Sequence, residues 1–198
     1  MHNPLSFPLQ LSFKLLAFAP QFYVHDAQGQ GVAYVKQKLF KLKEAVTVFA
    51  DESQSQPRFQ INADRVIDFS AQYNFTDVQG AALGAVKQRG VRSLWKAHFE
   101  VFDGGQQVFN INEKSVLTRL FDALFSRLPV VGVLSGYVFQ PAYEVTRISG
   151  EPVMMLTKKP ALFEGRFEIE KLTALNEREE NQLLLSLMML VLLERTRG

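Results

Sequence analysis

Along much of the chain, hydrophobic and polar residues simply alternate. Leu9, Leu11, Phe13, Leu15 and Ala17 share one parity, and Gln10, Ser12 and Lys14 the other. That is the signature of a strand with one buried face. Over residues 67–75 the apolar set is Ile67, Phe69, Ala71, Tyr73 and Phe75, against Asp68, Ser70, Gln72 and Asn74. Trp95, Ala97, Phe99 and Val101 alternate with Lys96, His98 and Glu100, and Phe163, Gly165, Phe167 and Ile169 with Glu164, Arg166, Glu168 and Glu170. Turn residues separate such runs: Asp26 to Gly29, Asp77 to Gly80, Asp103 to Gly105, and Ser149-Gly150. Many short one-sided strands in sequence predict an antiparallel, all-β meander.

Two segments break the alternation. In residues 115–128, Leu117, Leu120, Phe121, Leu124 and Leu128 fall on one helical face, with Thr118, Arg119, Asp122 and Ser126 opposite and Pro129 as the stop. An amphipathic surface helix is expected there. The second segment follows Asn176. Asn176 and Glu179 have the spacing of a capping box, and Glu177, Glu179 and Glu180 suit the positive end of a helix dipole. From Leu183 to Leu193 only Ser186 interrupts the large apolar residues, so this helix is apolar on every side and needs an enclosing partner. At 1.5 Å per residue that run covers about 17 Å, short of the ~30 Å of a bilayer's hydrocarbon layer.

One arrangement satisfies the one-sided strands and the all-round apolar helix together. The chain is expected to be mainly β, a closed antiparallel barrel of about twelve strands around a central hydrophobic C-terminal helix, with the extra helix at 115–128 on the surface. A two-sheet sandwich with the helix outside is the structural alternative. The chain also repeats itself. "DAQGQGVAYVKQK" from Asp26 lies over "DVQGAALGAVKQR" from Asp77 without a gap, and "VF" pairs follow at Val48-Phe49 and Val101-Phe102. A fainter third copy is "SGEPVMMLTKK". A single domain over residues 1–198 is expected, with repeat units at about 22–64, 73–114 and 143–172.

Composition changes this picture little. Charged residues are 21% and the net charge is +2, too small to imply nucleic acid as a partner. The absence of cysteine removes disulfides, thiolate metal sites and cysteine nucleophiles. Ala17-Phe18-Ala19 faintly resembles a signal-peptidase site, but Lys14 interrupts the apolar stretch and no Lys or Arg precedes it. No signal peptide or transmembrane span is expected, and the reading is a cytoplasmic protein, peripheral at the membrane if it meets one.

Candidate chemistry is sparse. His2, His25 and His98 share no ligand spacing, so solvated histidines and no metal site are expected. "GVLSG" at 132–136 is not a nucleophile elbow. Gly29-Gln30-Gly31 lies in a hairpin turn rather than before a helix, so it is no phosphate loop. Asp51-Glu52 and the Glu177 group read as turn and helix-start residues. No catalytic residue, enzyme activity or cofactor is expected. The least ordinary feature is cationic: Lys36 and Lys38 lie outside Val35 and Leu39, and Lys87 and Arg89 repeat this outside Val86, with Lys41, Lys43 and Arg92 nearby. These form two matching outward ridges that serve either as charged decoration of a strand face or as a site for anionic headgroups.

"YVKQKLFKLKEAVTVFADE", the repeated D-x-x-G turns and the closing "LLLSLMMLVLLER" resemble the LURP-one-related proteins, grouped with phospholipid scramblases and the tubby C-terminal domain. The resemblance spans roughly residues 22–194. It implies a twelve-stranded barrel around a hydrophobic helix and a non-enzymatic binding or scaffold module. Tubby-like relatives include phosphoinositide binders, which makes an anionic phospholipid or membrane surface the first expected partner and another protein the second. The alternative function is a scramblase-like, lipid-moving protein whose last helix inserts in the bilayer. A barrel enzyme is disfavoured because the helix and 17 Phe fill the interior. The pattern carries no signal of oligomeric state.

Overall fold

The structure, a computed structural model, describes residues 5–14, 21–36, 46–65, 71–89, 98–114, 141–161 and 164–195. It contains the strands β1 (Leu9–Lys14), β2 (Gln21–His25), β3 (Gly31–Lys36), β4 (Val46–Phe49), β5 (Pro57–Ala63) and β6 (Gln72–Asp77). They are followed by β7 (Ala82–Gln88), β8 (His98–Asp103), β9 (Gln106–Glu113), β10 (Ala142–Arg147), β11 (Pro152–Lys159) and β12 (Glu164–Lys171). One helix, α1 (Glu177–Arg195), completes the described elements. The strands form a closed barrel in which each pairs antiparallel with its sequence neighbours and β1 closes on β12. The expected surface helix at 115–128 lies outside the described residues, as do 67–70 and 95–97 at the starts of two predicted strands.

Alternation decides which side chains enter the barrel. Leu11, Val24, Val35, Val48, Ile61, Phe75, Val86, Val101, Ile111, Val145, Leu156 and Ile169, one from each strand, are essentially inaccessible. A ring of this size is too wide for its own side chains to fill. The filling is α1: every residue from Gln182 to Leu193 is at most 9% exposed, which covers all faces of more than three turns. A helix lying on the outside of a sheet would leave one face wet, so α1 is enclosed by the barrel. At 1.5 Å per residue its 19 residues reach about 28 Å, enough to run the barrel's length.

Closure and filling each depend on one glycine. Phe13 of β1 and Gly165 of β12 are register partners, and a Cβ on Gly165 would overlap the Phe13 ring. The ring therefore covers the backbone at the seam where first and last strands meet. Gly84 of β7 has φ +137°, and a Cβ there would strike Gln182 Nε2 of α1 and lie 2.6 Å from the Phe102 carbonyl oxygen. Here the helix leans against the wall.

Because all neighbours are antiparallel, the connections alternate between two ends. One end carries the short turns after β2, β4, β6, β8 and β10, together with the segment leading into α1. Three of these turns have the same backbone hydrogen bonding, and two add an aspartate side chain. Asp26 Oδ1 accepts from the amides of Gln28 and Gln30, and Asp77 Oδ1 from those of Gln79 and Ala81. In each the glycine amide donates back, Gly29 to Asp26 O, Gly80 to Asp77 O and Gly150 to Arg147 O, with φ values of 77°, 84° and 91°. Only glycine adopts that region without strain. A register shift sits at the same place beside each turn, after Val24, Phe75 and Val145.

Candidate functional site

The short-turn end is closed by the first turn of α1. Asn176 Oδ1 accepts from the Glu179 amide (2.9 Å) and Glu179 Oε2 from the Asn176 amide (3.0 Å), the expected capping box. Around it stand three ion pairs to the wall: Arg178 to Asp103 (2.7 Å), Arg147 to Glu179 (2.6 Å) and Lys171 to Glu180 (2.8 Å). Arg178 also donates to Ala82 O, and Gln182 Nε2 donates to Leu83 O at 2.6 Å. Arg147 lies over the Phe109 ring and Lys171 over that of Phe7. The hydrogen bond from Arg178 holds the Asp103 carboxyl below its ordinary range, and that from Arg147 does the same for Glu179. Carboxylates held ionised and occupied by arginine are poor proton donors and acceptors. The cluster anchors the helix.

The predicted cations lie toward the opposite end. Lys36 is the exposed last residue of β3, Lys87 is half-buried near the end of β7, and Arg89 follows β7 with its side chain 65% exposed. Lys38 lies outside the described residues, as do Lys41, Lys43 and Arg92. The ridges on β3 and β7 are four strands apart, about 19 Å around the wall at ~4.8 Å per strand, so they do not form one cluster. Their surroundings also differ. Arg89 Nε pairs with Glu100 at 2.9 Å, and Glu100 is the register partner of Lys87. Burial raises the Asp64 carboxyl, but hydrogen bonds from Arg65 and the Gln72 amide outweigh it, with Lys87 assisting. The second ridge is thus compensated by acid on both sides. Among the described residues neither the Lys36 nor the Lys87 ammonium has an ion-pair or hydrogen-bond partner, but Lys87 has Glu100 as register partner and acts on the Asp64 carboxyl.

Elsewhere the chemistry stays sparse. No group of three or more potential metal ligands occurs among the described residues. His98 is less solvated than its parity suggests, since Nδ1 contacts Asn112 Oδ1 and Nε2 lies 3.8 Å from Glu100. Asp51 Oδ1 accepts from the Ser53 amide, and Gly29 sits in its turn, as expected of both. "GVLSG" lies outside the described residues. Sequence reasoning missed two residues that set the character of the first ridge, Gln21 and Thr47. The signal was present: Gln21 and Gln72 lie 51 residues apart, the offset of the repeat, and Thr47 precedes Val48 as Glu100 precedes Val101.

The family model described as LURP-one-related matches residues 31–170. The chain belongs to the LURP-one-related family. The matched region runs from the start of β3 to near the end of β12, and so includes both cationic ridges. The chain is also similar to a protein from Arabidopsis thaliana solved by X-ray crystallography, at 14% identity and a TM-score of 0.49, covering 98% of this chain and 94% of that one. No curated protein matches the chain. Among the described residues, no helix of this LURP-one-related chain is long and apolar enough to cross a membrane.

Proposed function

We propose that this LURP-one-related barrel is a non-enzymatic binding module that turns its cationic end toward anionic surfaces, phospholipid headgroups among them. Its interior is occupied by α1, which leaves the outer surface to bind. The observation that carries the reading is charge separation along the barrel. The short turns, Arg58 and the segment 171–180 hold nine carboxylates against four cations, whereas the other described residues hold eight carboxylates and ten cations. An anionic surface is repelled by the first end and attracted elsewhere. Each Lys or Arg near a cytoplasmic leaflet contributes about 1 kcal/mol, so Lys36, Lys38, Lys87 and Arg89 together supply at most about 4 kcal/mol, screened by salt. That makes the cytoplasmic leaflet the preferred surface. The scramblase-like alternative requires α1 to leave the barrel and expose Gln182 through Leu193, and no observation favours it.

Flotation with vesicles of phosphatidylcholine, alone or mixed with phosphatidylserine, tests the reading. Binding is expected only to the anionic vesicles, weaker at high salt, and lost when Lys36, Lys38, Lys87 and Arg89 are all changed to Glu. Equal binding to neutral vesicles, or binding that survives the fourfold reversal, refutes it.

A further inference from the structure

Three rows of residues cross the outer wall in the same way. On β2–β3–β4 the row is Gln21, Lys36 and Thr47; on β6–β7–β8 it is Gln72, Lys87 and Glu100; on β10–β11–β12 it is Ala142, Thr157 and Glu168. Register pairs define them: Gln21↔Lys36, Gln72↔Lys87 and Ala142↔Thr157, then Lys87↔Glu100 and Thr157↔Glu168. Thr47 stands two residues before Phe49 and Lys36 two after its partner Tyr34, although no Lys36↔Thr47 pair forms. Each row occupies the same distance from its matching turn, so the three are local variants of one surface.

They differ in charge. In the second and third rows the last place is a glutamate, and the cation two residues beyond the middle place pairs with it: Arg89 with Glu100 and Lys159 with Glu168. In the first row that place is Thr47, so no carboxylate faces Lys36 from β4. The flanking place on the other side differs as well. Asp64, whose amide donates to Gln72 O, flanks the second row, whereas Lys14 occupies the corresponding position on β1, one step beyond Phe13↔Phe22. The acid nearest in register on that side is Glu164, one strand further, opposite Lys14.

Two further features set the first row apart. Gln72 Nε2 is spent on Asn74 Oδ1 at 2.8 Å, whereas Gln21 uses its amide oxygen, accepting from Tyr23 Oη at 2.9 Å. Among the described residues the Gln21 NH2 group has no acceptor, and Gln21 is the register partner of Lys36. The seam itself also differs. β7 and β8 stay in register from Ala85↔Phe102 to Gln88↔Phe99, while among the described residues β3 and β4 share only Tyr34↔Phe49. Below that pair the backbone amides of the two strands are not engaged with each other.

We infer that the outer face of β2–β3–β4 at Lys36 is a phosphate-binding site, with the Lys36 ammonium as the charge and the Gln21 amide and Thr47 hydroxyl as donors. A phosphate group takes the place that Glu100 and Glu168 fill in the other rows, and it reaches the site on a lipid headgroup or on a soluble phosphate compound. The inference rests on the cationic-end reading above and narrows it: the first ridge binds, while in the second Arg89 is already paired with Glu100, the register partner of Lys87.

The test uses the full chain. Pyrophosphate is titrated while amide spectra are followed, including the Gln21 side-chain NH2, and the anionic-vesicle flotation is repeated with the same variants. Pyrophosphate is expected to shift Gln21 and Lys36 resonances. Thr47→Glu, which installs the missing carboxylate, and Lys36→Glu are each expected to weaken binding roughly tenfold. Thr47→Gln is the neutral control for folding, and the double variant Lys87→Glu/Arg89→Glu is expected to stay within about twofold of the parent for pyrophosphate. Flotation that persists in Thr47→Glu but is lost in the Lys87→Glu/Arg89→Glu variant overturns the site while leaving the cationic-end reading intact. Pyrophosphate binding at Gln21 and Lys36 without flotation supports the site with a soluble ligand and removes the membrane reading. No shift at Gln21 and no response to Thr47→Glu overturns the site.

Discussion

Gly84→Ala is the most informative single change, because it adds one methyl group where α1 meets the wall. The new Cβ would collide with Gln182 Nε2 and stand 2.6 Å from the Phe102 carbonyl oxygen, on a backbone held at φ +137°. The long Gln182 side chain can retreat, but only by giving up its 2.6 Å hydrogen bond to Leu83 O. Gln182 is 1% exposed, so the amide would be left buried and unpaired, at a cost of about 1–3 kcal/mol. The disfavoured backbone conformation adds a further ~1–3 kcal/mol. The total of about 2–6 kcal/mol is a large part of the ~5–15 kcal/mol that holds a domain folded. Urea unfolding followed by circular dichroism measures it as a drop in midpoint at unchanged slope. The double variant Gly84→Ala/Gln182→Ala should recover part of the loss, because the side-chain collision is gone while the Phe102 contact and the φ remain. A Gly84→Ala protein within about 0.5 kcal/mol of the parent would refute the view that α1 and β7 meet at a close backbone approach.

Two other outcomes follow from the core and the clamp. Leu187 is inaccessible inside the barrel, so Leu187→Asp should unfold the chain, an unpaired buried charge costing several kcal/mol, whereas Leu187→Ala should fold with a loss of about 2–5 kcal/mol; a soluble, cooperatively folded Asp variant in calorimetry counts against the enclosed helix. The Asp103 and Glu179 carboxyls lie below their ordinary values, so their stabilisation is present above about pH 4 and is lost as pH falls through their lowered folded values; Arg178→Gln, which removes the cause at Asp103, should narrow its gap in Tm from the parent as the solution is acidified, and a gap constant from about pH 7 to pH 3 contradicts the clamp.

Much of the architecture is legible in the sequence. Parity placed Leu9, Leu11, Phe75, Val101 and Ile169 inward, and all are buried. The all-round apolar run after Asn176 demanded an enclosing wall, and its length argued against a bilayer. Both conclusions are local: alternation with period two and a capping box are written in neighbouring residues. The four cations were legible only as types. Whether a lysine on a strand is free or neutralised depends on the next strand, and sequence order alone does not say which residue stands opposite.

The sequence by itself determined the elements, the inward faces and the need to wrap the last helix, because burying apolar area gives each segment the same instruction wherever it lies. Tertiary structure alone decided the rest. Register set Glu100 across from Lys87 and left Lys36 beside Gln21, antiparallel connectivity gathered the acidic turns at one end, and the lean of α1 on β7 made Gly84 and Gln182 a contact. Each depends on a distance between residues far apart in the chain, and electrostatic and steric energies are set by that distance.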